Sequence, residues 1–132
     1  MAIDIIFELI EKGNYDLYWS FILEDENSSN PFLNRRSYIK LLSSICSVAI
    51  SPTPQIKEVA KIIIDNSNAR IKDALHIATA AFAGCEYFIT CDDRLIRTLN
   101  SNMDNIQYVL NNIKLFNPVE FLRKEMKINV IE

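Results

Sequence analysis

Residues 71–96 read IKDALHIATAAFAGCEYFITCDDRLI, and this stretch decides the fold. Residues 73–83 form an Ala-rich helix opened by Asp73. Gly84 stands where a helix wants a left-handed C′ residue. Residues 87–90 (YFIT) are short and apolar, as a parallel strand covered on both faces should be. Asp92 and Asp93 follow, and one of them caps the next helix, which runs to about residue 99. A side chain just past the C-terminal end of a parallel strand lies at the ligand-binding edge of the sheet. An acid at the start of the preceding helix lies at the same edge, so Asp73 and Asp92 are expected to meet. Clustered carboxylates repel and are costly to bury unpaired, and a hard cation such as Mg²⁺ removes both costs.

Upstream, Ile5, Ile6, Leu9 and Ile10 recur at helical spacing over residues 3–12, and Gly13-Asn14 ends that helix. The aromatic run YDLYWS (15–20) reads as a strand. A helix over 21–28 closes at Asn30-Pro31, because the residue before proline avoids the helical region. A longer helix covers 32–46 and a short strand 47–50. Thr53 with Pro54 behind it starts a helix to about residue 66. Downstream, residues 101–112 are polar and ambiguous, 113–116 form a strand, and Asn117-Pro118 opens a last helix to 125. The tail Ile128-Asn129-Val130-Ile131 is apolar and suited to pairing with an edge or a partner. Strands alternate with helices, which favours a parallel sheet covered on both faces. The expected organisation is one domain over 1–126 followed by a tail over 127–132. The chain opens on a helix, whereas such folds usually begin with a strand that becomes central.

The 132 residues are 49% hydrophobic and 23% charged, an ordinary globular composition. A net charge of −3 gives no global basic field for nucleic acid, although a local basic rim is compatible with an RNA enzyme. Cys46, Cys85 and Cys91 are odd in number, lack metal-type spacing, and read as reduced thiols of a cytoplasmic protein. No apolar run reaches the ~18 residues of a membrane-crossing helix. The start, MAIDIIFELIEKG, lacks the basic n-region of a signal peptide.

Each acid has an ordinary alternative. Glu26 shares a helix side with Ile22 and Leu23, which suits a site residue or a half-exposed boundary acid; Asp25 partly shares it. Asp73, Asp92 and Asp93 serve equally as helix-start acids, worth about 0.5–2 kcal/mol. Together they make a plausible metal site. His76 is the only histidine, which rules out a Cys/His zinc cluster and a Ser-His-Asp triad on the usual plan. One turn after Asp73, it reads as structural or as a support to a ligand. Thr90 suits either a hydrogen bond to a phosphate or bound water, or an ordinary strand position. Only Gly13 and Gly84 are present, so no glycine-rich phosphate loop exists. Arg94 and Arg97 are better candidates for phosphate contacts than Arg35, Arg36 and Lys40.

DALHIATA followed by YFITCDDRLI resembles the PIN-domain family, the metal-dependent ribonucleases that include toxins of bacterial toxin–antitoxin pairs. WSFILEDENSSNP upstream and IKLFNPVEFL downstream extend the resemblance over most of residues 3–122. It implies a three-layer α/β/α fold with a parallel sheet, and acids that bind Mg²⁺ or Mn²⁺ and hydrolyse RNA phosphodiesters. By position, Glu26, Asp73 and Asp92 are the implied catalytic and metal-holding acids, with Asp93 assisting. Thr90 and Arg94, from their own chemistry and position, are the expected substrate contacts. RNA is the implied substrate, and an antitoxin protein a partner.

The sequence departs from the family at its start. PIN domains begin with a strand ending in an Asp-Thr-Asn-like motif, and this chain shows none; Asp4 sits inside the first helical pattern. The expectation is a PIN-like domain lacking its first strand, with impaired activity as one consequence. A non-catalytic remnant that binds a partner protein is the rival reading. The strands at 15–20 and 87–90 should then carry open edges. Association, or filling of the gap by residues 127–131 or a second chain, is expected over direct closure, so a homo-oligomer is expected.

Overall fold

The structure, a computed structural model, describes residues 2–20, 48–51, 53–125 and 127–128. The helices expected over 21–28 and 32–46, the proline stop at Asn30-Pro31, and therefore Glu26, Arg35, Arg36, Lys40 and Cys46, lie outside the described residues, as do residues 129–132. The described chain is mixed α/β and mostly helical. It runs α1 (Ala2–Glu11), β1 (Tyr18–Ser20), β2 (Val48–Ile50), α2 (Pro54–Asp65), α3 (Ile71–Phe82), β3 (Tyr87–Ile89), α4 (Asp93–Ser101), α5 (Met103–Leu110), β4 (Lys114–Phe116) and α6 (Pro118–Lys124).

Local chemistry explains most of these boundaries. Thr53 caps α2, its Oγ1 accepting from the Ile56 N–H at 3.2 Å. Asn117 caps α6 in the same way, accepting from the Glu120 N–H at 2.8 Å, with Pro118 in the first turn. Both glycines close helices with the same motif. After α3, the Cys85 N–H reaches back to the Ala80 carbonyl at 3.0 Å and the Gly84 N–H to Ala81 at 3.1 Å, with Gly84 at φ 74. After α1, Asn14 bonds Leu9 at 2.9 Å and Gly13 bonds Ile10 at 3.0 Å, with Gly13 at φ 83. These paired bonds from C″ and C′ need a left-handed C′ residue, which glycine adopts without a Cβ penalty.

All described pairing is parallel, as the alternation of helices and strands implies. β1 pairs with β2, Trp19 opposite Ala49. β3 pairs with β4, Phe88 opposite Leu115. The two pairs form separate two-stranded sheets. The strands at 15–20 and 87–90 therefore do not close directly on each other. α3 packs against both β1 and β3, so one helix spans the two pairs.

The larger core joins α2, α3, α4 and α5. Ile56, Ile63, Ile77, Leu99, Ile106 and Leu110 are fully buried there, with Phe88 and Leu115 of the second strand pair packed against them. Ala60, Ala74 and Ala78 are buried between α2 and α3, where small side chains let the helices approach closely. Within the segment over 101–112, ambiguous in sequence, Met103–Leu110 form the helix α5: Ile106 and Leu110, one turn apart, are buried, while Asp104, Asn105 and Gln107 face solvent.

A second cluster gathers where β1 and β3 begin. α1 packs along α6, with Ile5, Ile6 and Leu9 against Phe121 and Leu122. Tyr15 lies edge-on to both Tyr87, at 6.2 Å between ring centroids, and Phe121, at 5.4 Å. The Tyr87 hydroxyl donates to Glu125 Oε2 at 3.3 Å. Burial, and after it the Glu125 carboxylate, push this phenol above its ordinary value, and Lys114 opposes them in part. Ile128 joins the cluster, its N–H donating to the Leu122 carbonyl at 2.8 Å.

Candidate functional site

Asp92 follows β3 and is the N-cap of α4. Its Oδ1 accepts from the Leu95 N–H at 3.1 Å, which leaves Oδ2 uncommitted to the cap. Two residues earlier, the Thr90 Oγ1 accepts from the Asp92 N–H at 3.1 Å. The Thr90 hydroxyl therefore shapes the turn that presents Asp92; Thr90 itself does not line the depression described next.

Asp73 reaches the same place from α3. The sequence suggested that it opens the helix, but α3 starts two residues earlier, at Ile71, with Arg70 as an N-cap that makes no side-chain hydrogen bond. Asp73 is thus a first-turn acid, half-buried, and no described residue hydrogen-bonds its carboxylate. Asp73 and Asp92 line one surface depression, together with Asn68, Arg70, Arg94 and Thr98. Two acidic and two basic residues are thus among its lining, and their formal charges cancel. The ion pairs among the described residues lie elsewhere, at Glu120 and Glu125.

The other expected site residues are distributed differently. Arg94 lines the depression; Arg97, exposed on the same helix, does not. Asp93 is turned away: its Oδ1 accepts from the Asn117 Nδ2 at 3.0 Å, which ties the start of α4 to the start of α6. His76, one turn along α3 from Asp73, is half-buried and does not line the depression. Glu26 lies outside the described residues. Arg70, Asn68 and Thr98 were not singled out in the sequence; the turn before α3 and the second turn of α4 bring them in.

Among the described residues, no group of three or more His, Cys, Asp or Glu side chains is arranged to hold a metal ion. Two carboxylates from different elements nonetheless suit Mg²⁺, which keeps several waters and takes only one or two protein carboxylates. The donor set is all oxygen, which matches Mg²⁺ or Mn²⁺ rather than a soft metal.

No protein-family model matches the chain, and no curated protein or solved structure does either. No helix among the described residues is long and apolar enough to cross a membrane.

Proposed function

We propose that this protein is a metal-dependent endoribonuclease of PIN type that hydrolyses RNA phosphodiester bonds in the cytoplasm. The observation that carries the reading is the convergence of Asp73 and Asp92, from different elements, on a depression also lined by Arg70 and Arg94. In this reading the two parallel strand pairs belong to one sheet of a three-layer α/β/α domain. Asp73 and Asp92 would hold Mg²⁺ or Mn²⁺, with Glu26 as the third acid of the set. The ion, when bound, supplies an activated water and neutralises charge on the phosphate oxygens. Arg94 and Arg70 would draw the phosphate to the acids, whose own charge would otherwise repel it. Thr90 acts by fixing the turn of Asp92 rather than by touching substrate. Cys85 and Cys91 are free thiols, in keeping with a reducing compartment.

The test is cleavage of a mixed RNA pool by the purified chain. Cleavage that requires Mg²⁺ or Mn²⁺ and is lost in Asp73→Asn supports the reading. Cleavage that persists in chelator, or is equal in Asp73→Asn, removes it.

One observation favours a second reading, a non-catalytic module that binds a protein of antitoxin type or a second copy of the chain. β1 and β3 are not paired with each other, which leaves sheet edges suited to an added strand. In that reading the chain binds its partner with no cation-dependent cleavage.

A further inference from the structure

β3 and β4 end side by side, and each leads directly into a helix. The Thr90 N–H donates to the Phe116 carbonyl at 3.0 Å, which carries the pairing one residue past β3. Just beyond, Asp92 caps α4 and Asn117 caps α6. The two caps are neighbours at one edge of the strand pair, although 24 residues separate Asp93 from Asn117.

Asn117 uses both ends of its amide. Its Oδ1 accepts from the Glu120 N–H at 2.8 Å, and its Nδ2 donates to Asp93 Oδ1 at 3.0 Å. The first bond needs the oxygen and the second the nitrogen, so capping α6 turns the donor end toward Asp93. A donor on a carboxylate makes a charge-assisted bond. The α6 end of this link is firmly seated: Pro118, Phe121 and Leu122 are buried, and α6 packs along α1.

At the other end, Asp92 is tethered on both sides. Its N–H donates to Thr90 Oγ1 at 3.1 Å, and the next residue, Asp93, is held by Asn117. The Leu95 N–H, donating to Oδ1 at 3.1 Å, then aims the Asp92 carboxylate. Asp92 and Asp93 are both exposed, and helix ends fray unless they are tied down. Neither Asp93 nor Asn117 lines the depression, so whatever they contribute there acts through Asp92.

We infer that Asn117 is a positioning residue of the Asp73–Asp92 site: through Asp93 it ties the first turn of α4 to α6 and so holds the Asp92 carboxylate at the depression. The inference rests on the cation reading of that depression. It assigns Asp93 to the support of Asp92 rather than to the cation.

Mn²⁺ affinity and amide hydrogen exchange of full-length variants test it. Asn117→Asp keeps a good cap for α6 but replaces the Nδ2 donor with a carboxylate that repels Asp93. Added negative charge alone would tighten Mn²⁺ binding. Loss of the link should instead weaken it by about tenfold, the low end for groups that support a metal-holding side chain, because this link is exposed. Asn117→Ser, which caps as well but lacks the amide donor, and Asp93→Ala should weaken binding to a similar degree. Asp93→Asn should restore affinity to within about threefold of the unmodified chain, since its amide oxygen still accepts from Nδ2 and one exposed charge acts weakly across water. Without metal, the Leu95 amide should exchange about threefold faster or more in Asn117→Asp, Asn117→Ser and Asp93→Ala, with Phe88 in β3 unchanged as the report of an intact fold. Asp93→Ala, at an exposed position, carries the same test if the Asn117 variants do not fold. Tighter or equal Mn²⁺ binding in Asn117→Asp overturns the inference. So does an Asp93→Asn that binds as weakly as Asp93→Ala, which makes Asp93 itself a ligand. Equal exchange at Leu95 in the unmodified chain and the folded variants overturns it whether or not metal binds. If the unmodified chain takes up no Mn²⁺, the cation reading fails separately, and the Leu95 amide still decides whether Asn117 positions Asp92.

Discussion

Replacing Asp92 separates two roles that the structure superimposes on one side chain. Oδ1 caps α4 through the Leu95 N–H, and Oδ2 is free for a cation. Asp92→Ala removes both. Loss of an N-cap costs about 0.5–2 kcal/mol, typically about 1. For a chain of this size that corresponds to a fall in Tm of roughly 3–5 °C. Asp92→Asn keeps an oxygen acceptor for the Leu95 N–H, and Asn is as good an N-cap as Asp. What it loses is the favourable interaction of a negative charge with the helix N-terminus, about 0.3–1 kcal/mol at an exposed site. Asp92→Asn should therefore unfold closer to the unmodified chain than Asp92→Ala does, while both lose Mn²⁺ affinity. Asp73 provides the contrast. It makes no hydrogen bond to a described residue, so Asp73→Asn should lower Mn²⁺ affinity with little loss of Tm. The assay is thermal unfolding without metal, paired with calorimetric titration of Mn²⁺. Were Asp92→Asn to bind Mn²⁺ like the unmodified chain, or to unfold as early as Asp92→Ala, the division of labour between the two oxygens would be refuted.

Other consequences are accessible to simple measurements. Gly84→Ala should cost about 1–2 kcal/mol in chemical denaturation: no atom lies within 4 Å of the new Cβ, so the penalty is the left-handed backbone alone. Gly84→Asn should cost less, because Asn tolerates that conformation better. At mildly alkaline pH, Cys91, which is exposed, should be alkylated before Cys85, whose thiol is half-buried and pushed up by that burial. Tyr87 should make stability pH-dependent at the alkaline end. Its raised value favours the neutral phenol in the fold, so this contribution is present below the ordinary phenol value of 10.0 and lost as pH rises from there through the folded value. Tyr87→Phe should remove that part of the alkaline decline, measured as the difference between the two unfolding profiles.

The punctuation of this chain was legible because it is local chemistry. Thr53, Gly84, Asp92 and Asn117 each act through backbone groups within four residues, and the sequence carries that information directly. α5 was obscure because its outer face is as polar as a loop, and only the spacing of Ile106 and Leu110 betrays its buried side. α3 starts two residues before the Asp73 that marks it in sequence, because Arg70 makes no capping bond and Ile71 is exposed, so nothing at those positions announces a helix. For the site, strand-to-helix topology points to one sheet edge for Asp73 and Asp92, and both are among the residues lining one depression. The orientation of Asp93 does not follow from that topology, since it depends on Asn117, far along the chain. Arg70 joins the depression only through the packing of the turn before α3 beside α4, which no local pattern encodes.

The central claim is that Asp73 and Asp92 hold one divalent cation between them. Paramagnetic broadening by Mn²⁺ tests it most directly, with amide spectra of the full chain recorded as the ion is added at sub-stoichiometric amounts. The account predicts that signals around Asp73 and around Asp92–Arg94 fade together at the same Mn²⁺ concentration, that Asp73→Asn weakens both effects, and that excess Mg²⁺ restores both sets. Broadening at one aspartate without the other, or at neither, would contradict it.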